Sequence, residues 1–150
     1  MISDIDSILY KAEAEYLEQQ DLANFKGQIF ALEKRLQIYE IISSNETEFF
    51  QNIASRLASN FSDEPDKIRL ALKHWLMVTR YCAMAMLLDN PDYLKYRLEW
   101  LSEQVEAYQT KAIEQKTFEL LQKRCQKVLD SEQLSILQPY LEQTRNALLK

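Results

Sequence analysis

The chain has 150 residues, among them one glycine, three prolines and one histidine. An average chain of this length carries about ten glycines. Rossmann turns, P-loops and nucleophile elbows are therefore excluded, because each needs glycine where backbone approaches phosphate or takes positive φ. Eighteen basic and 23 acidic residues give a net charge of −5 with both signs interspersed, so the sequence shows no basic block for nucleic acid.

The elements are punctuated by capping signals. Ser3-Asp4 opens an acidic first turn, and Ile5, Ile8, Leu9, Ala12 and Tyr16 follow at helical spacing. Asp21 is placed to cap a second helix whose apolar face carries Phe25, Ile29, Leu32, Leu36 and Tyr39. Ser43-Ser44-Asn45 reads as a break, and Ser44-Asn45-Glu46-Thr47 as the start of a third helix bearing Phe49, Phe50, Ile53, Leu57 and Phe61. Ser62-Asp63-Glu64-Pro65 punctuates again, with Pro65 suited to a first helical turn. The helix it opens runs roughly twenty residues, with Ile68, Leu72, Trp75, Leu76, Thr79, Cys82, Ala83 and Met86 recurring at three or four. Asp89-Asn90-Pro91 ends that helix and starts the next, which uses Leu94, Leu98, Leu101 and Val105. Another runs from about Lys111 to Leu129, Ser131 begins the last, and Pro139 is expected to break it into a turn and a final helix to Leu149.

Seven or eight helices with short connections and no strand candidate predict one all-α domain over residues 1–150. Aromatics at 11% argue against disorder. The start, Met1-Ile2-Ser3-Asp4, lacks the features of a secretory signal, and no uncharged run is long enough to span a bilayer. Cys82 and Cys125 form no CxxC, so two reduced thiols in a cytoplasmic protein are expected.

Several stretches read together as one family. Ala12 to Leu17 is similar to the "AD…GR(Y/F)L" segment of phycobiliprotein subunits, and the similarity continues from Phe25 to Phe61. Arg80-Tyr81-Cys82-Ala83-Met84-Ala85-Met86-Leu87 followed by Asp89-Asn90-Pro91 resembles the family's "RYxTYAMLAGDP" helix end and turn. Leu94 to Tyr108 resembles "LDERxLxGLxETY", and Pro139 to Leu148 the closing "SYIDYAINAL" helix of phycocyanin α chains. Five collinear pieces cover almost the whole chain. The resemblance implies a globin-like six-helix core with an N-terminal helical extension that drives subunit pairing in phycobilisomes, the light-harvesting assemblies of cyanobacteria.

Departures from the family bear on function. Pigmented subunits attach a bilin through a Cys on the central helix, with an Asp three residues on. Matching on Arg80 places these at Ala71 and His74, and matching His74-Trp75-Leu76 to the family's "YYL" places them at Ile68 and Ala71. Neither register supplies a thiol or a carboxylate, so no covalent bilin is expected. The segment Ser62 to Asp66 is also much shorter than the family's loop over the pigment.

Other residues stand as candidates. His74, Trp75 and Cys82 are weighed as a ligand pocket for haem or a non-covalent bilin, which requires an apolar cavity and a free ring nitrogen. Against it stands a structural histidine and a buried small thiol. Cys125, among Lys123, Arg124 and Lys127, would favour a thiolate if exposed. Met77, Met84 and Met86 read as core at helical spacing. Glu13/Glu15 and Glu46/Glu48 are two apart on helices and diverge, so no catalytic pair, and with one His no metal set, is nominated. By resemblance, Glu13 and Arg80 match an Asp and an Arg that meet across the subunit interface, beside an apolar face of Ile5, Ile8, Leu9 and Tyr16. That face either meets a partner chain or folds back on its own core.

The expected function is a non-enzymatic, phycobiliprotein-like protein acting by protein–protein contact in assembly, regulation or remodelling of a phycobilisome or photosystem. Its partner would be a phycobiliprotein subunit, a photosynthetic complex component or a homodimer mate, met in the cytoplasm or peripherally at the thylakoid. A bilin or haem carrier or sensor, and a pigmented subunit using a non-standard Cys, are the alternatives.

Overall fold

The computed structural model describes residues 2–149, with side chains from Ile5 onward. Six α-helices follow one another: α1 (Ile2–Ala14), α2 (Gln19–Asn60), α3 (Pro65–Leu88), α4 (Pro91–Tyr108), α5 (Lys111–Val128) and α6 (Ser131–Leu148). No strand occurs among the described residues. The fold is all-α and globin-like. The Ser3 and Asp4 side chains expected to open α1 lie outside the described residues.

Among the described residues the helices number six rather than seven or eight, because two expected breaks are bridged. Ser43-Ser44-Asn45 lies inside α2. There Asn45 turns its amide back onto the Ile41 carbonyl at 2.7 Å instead of capping a new helix. Ile38, Ile42, Phe49, Ile53 and Leu57 form one buried stripe across the junction, and packing of that stripe outweighs the weak helix propensity of Ser and Asn. Pro139 likewise sits inside α6. It removes the hydrogen bond to the Ser135 carbonyl, but both residues are on the exposed face while Leu137, Tyr140 and Leu141 are buried. The Ser135 carbonyl is thus left on the solvent side, where its loss of a helical partner costs little, and the packed face continues. Asp21 is not the cap of α2 but its third residue, accepting from the Glu18 amide at 3.0 Å.

The remaining boundaries follow their signals. Asn90 Oδ1 accepts from the amides of Asp92 and Tyr93, with Pro91 in the first turn of α4. Asp89 and Gln109 take the left-handed conformation that ends α3 and α4, at φ 51° and 52°. Glycine usually fills such positions. The single Gly27 lies elsewhere, within α2.

Buried apolar side chains of α2 to α6 form one cluster. Its first member along the chain is Ile38, and the first buried residue of any kind among the described side chains is Arg35. The core and the N-terminal extension therefore divide inside α2. Residues 5–34 contribute no buried side chain, and α1 is tied to the start of α2 by Lys11 and Asp21 at 2.8 Å.

Candidate functional site

Helix α3 crosses the core and carries both positions where the family's bilin-bearing Cys would fall. Ala71 is fully buried and Ile68 nearly so. Residues 61–64 alone connect α2 to α3, leaving no long loop to cover a pigment beside them.

One turn further, α3 meets the first turn of α5 in a buried polar cluster. Glu114 is completely inaccessible. Its Oε1 lies 2.7 Å from His74 Nδ1 and 3.3 Å from the Thr110 hydroxyl, and its Oε2 accepts from the Trp75 indole N–H. A carboxylate is tolerated there because its acceptors are met by donors and it stands in the first turn of α5, at the positive end of the helix dipole. Trp75 also packs on Phe118, with ring centroids 5.6 Å apart. His74 Nδ1 is thus committed to a carboxylate, and the ring is as buried as its neighbours.

Cys82, two turns along α3, faces α6 instead. Its sulfur lies 3.2 Å from Thr144 Oγ1 and 3.7 Å from the Tyr140 carbonyl. Burial pushes its thiol up to about 12, the Thr144 contact acting weakly the other way. The structure therefore does not gather His74, Trp75 and Cys82 around one cavity: the first two serve the contact with α5 and the third the contact with α6. Cys125 departs from the condition set for its reactivity. It is 1% exposed, and burial, then the nearby Cys82, push its thiol up to about 12. Its cationic neighbours do not share its buried face, as i±1 and i±2 spacing on a helix requires: Lys123 and Lys127 are exposed and Arg124 reaches Asn52 on α2.

The extension presents the opposite picture. Tyr16 is 100% and Leu9 55% exposed, Glu13 and Ala12 are exposed, and Ile5 and Ile8 are half-buried. Leu22, Ile29, Phe30 and Leu36 continue the exposed apolar surface along α2. Arg80 sits on the outer face of α3, forked onto Glu46 at 2.7 and 3.1 Å. The pair borders a cleft of about 430 Å³ whose walls include Tyr39, Tyr81, Met84 and Tyr93. Arg97 stacks on Tyr93 at 3.6 Å and approaches Tyr81 at 5.5 Å, holding that aromatic wall in place.

Two features escaped the sequence. Glu114 looked like an ordinary acidic residue in a first helical turn, and nothing local marks it as the partner of residues forty positions earlier. Glu46 offered no sign that it would occupy Arg80. No helix among the described residues is long and apolar enough to cross a membrane, and none of their His, Cys, Asp and Glu side chains group to hold a metal ion.

Compared with known proteins, the chain matches a family model described as phycobilisome protein over residues 8–148. No curated protein matches it.

Proposed function

Since the chain belongs to the phycobilisome protein family, we propose that it is a phycobiliprotein-like subunit that carries no covalent bilin and works through protein–protein contact. The family normally binds bilin through a thioether and its members assemble with other subunits. The observation that supports the reading is the filled central helix: the thiol's position falls at Ala71 or Ile68, both buried and neither a Cys, and His74 is tied to Glu114 in the core. Neither remaining thiol substitutes for the missing one, because both are buried and hold their protons well above the ordinary thiol range. The residues present do not fit covalent attachment.

What the chain offers instead is an uncovered extension and an Arg80-bordered aromatic cleft. In this reading Leu9, Tyr16 and Phe30 are covered by a partner chain, with Glu13 of one chain reaching the Arg80 of its mate. The role is assembly, regulation or remodelling of the antenna or a photosystem, without an enzymatic step, at the thylakoid surface through that complex.

The test is pigment content. The protein is purified from a bilin-producing host, its absorption spectrum is recorded, and the denatured chain is assayed for zinc-enhanced fluorescence. A colourless product is expected. Colour that survives denaturation overturns the proposal, and colour lost on denaturation replaces it with a non-covalent carrier.

A further inference from the structure

On the side of the core formed by α2 and α5, the two helices leave two clefts between them, of about 400 and 200 Å³. Arg56, Leu120 and Lys123 line both, so the clefts are one groove. Lys116 stands at one end, and Arg124 and Lys127 at the other. Along α5, Lys116 to Lys127 spans about 16 Å at 1.5 Å per residue. No carboxylate lines either cleft. Lys116 reaches Glu119 only at 3.8 Å, and Arg124 is steadied by the Asn52 amide oxygen at 3.1 Å. Arg56, Lys123 and Lys127 form no ion pair with a carboxylate among the described residues. A concentrated positive groove in a chain of net charge −5 is a local reversal of sign, and such a field attracts an anionic partner.

The shape of the groove selects among anions. Its cations are strung along the axis rather than converging on a point, so one phosphate-sized ion meets only a fraction of them. Buried Leu120 forms an aliphatic floor between the two ends. None of the exposed large apolar residues lies on α5 or on α2 beyond Leu36, so nothing flanks the groove to insert into a bilayer. No aromatic side chain lines it as a stacking platform for bases.

We infer that the α2–α5 groove docks an acidic segment of a partner protein, its carboxylates distributed over about 16 Å. This surface is separate from the N-terminal extension and from the central helix, so its test does not depend on whether pigment is bound.

The probe is a dye-labelled oligoglutamate of about twelve residues, long enough even at helical rise to span the groove, titrated by fluorescence anisotropy against the full chain at low salt. Arg56→Glu with Lys123→Glu is expected to weaken binding at least about tenfold. Arg56→Gln with Lys123→Gln, which adds no repulsion, is expected to give a smaller loss in the same direction. Lys26→Glu with Lys73→Glu changes net charge equally at exposed cations outside the groove, and is expected to leave affinity within about twofold. Circular-dichroism melts of all variants verify the fold. Equal weakening by the groove and control pairs overturns the proposal, as does tighter binding of phosphatidylglycerol vesicles or single-stranded RNA through Arg56 and Lys123.

Discussion

The extension and the core are built from the same kind of amphipathic helix, and one of them, α2, belongs to both. From Ile38 onward it buries an apolar stripe, whereas Leu22, Ile29, Phe30 and Leu36 before that point stand in solvent. An apolar stripe thus says that a helix will be covered, not by what. In the core the cover is the chain itself, and polar groups there are paired: Glu114, His74, Trp75 and Thr110 satisfy one another out of reach of water. In the extension the chain supplies no such cover, and the ion pair of Lys11 and Asp21 is only partly buried, its side chains 40% and 19% exposed.

This contrast breaks first at Glu114. Glu114→Gln keeps the shape but removes the charge facing His74 and presents an amide where two acceptors are needed. A loss of about 3 kcal/mol is expected from urea denaturation. An equal loss from a comparable change in the extension would erase the distinction.

The two thiols probe the core by pH. Each is held near 12 folded against an ordinary value of 9.0, so the folded state keeps protons that the unfolded state releases. The stability this represents is complete below pH 9 and falls as pH rises toward 12, on the order of 1 kcal/mol per pH unit for each thiol. Urea midpoints recorded from pH 8 to 11 should fall above pH 9, with a shallower fall in Cys82→Ala and Cys125→Ala.

Glycine substitutions sharpen the comparison in opposite senses. Gln109→Gly relieves a left-handed residue at the end of α4 and should raise core stability by about 1 kcal/mol. Gly27→Ala should raise the helix content of the extension, since a Cβ there meets nothing within 4 Å. Its effect on thermal unfolding of the core should be under about 0.5 kcal/mol.

The smallest effect on stability belongs to Leu9→Glu with Phe30→Glu, again under about 0.5 kcal/mol because neither side chain is buried. The same pair should abolish association seen by sedimentation velocity, together with Glu13→Lys and Arg80→Glu. A wild-type chain that sediments as a monomer and recovers no partner would remove the basis for the contact reading.

Much of the fold was legible because capping chemistry is local. Asp89-Asn90-Pro91, Pro65 and Ser131 mark helix ends through groups within a few residues of one another. The errors fell where tertiary packing outweighed local preference, at Ser43-Ser44-Asn45 and Pro139. Of the site, the missing thiol at Ala71 or Ile68 could be read from residue identity alone. The partner of His74 could not, because pairing Glu114 with it needs α5 laid against α3.

Composition and the order of caps by themselves determined an all-α chain with too little glycine for a phosphate-binding loop and no Cys on the expected stretch of the central helix. Those are properties of residue type and short-range spacing. Only the tertiary structure decided that His74 is tied to a buried carboxylate, that both thiols are sealed, and that the extension stays uncovered. The same holds for charge. Basic and acidic residues alternate along the sequence without a block, yet α2 and α5 bring Arg56 beside Lys116, Lys123, Arg124 and Lys127. Interspersion along a chain does not survive helical geometry, which sorts residues by face, or packing, which sets two such faces side by side.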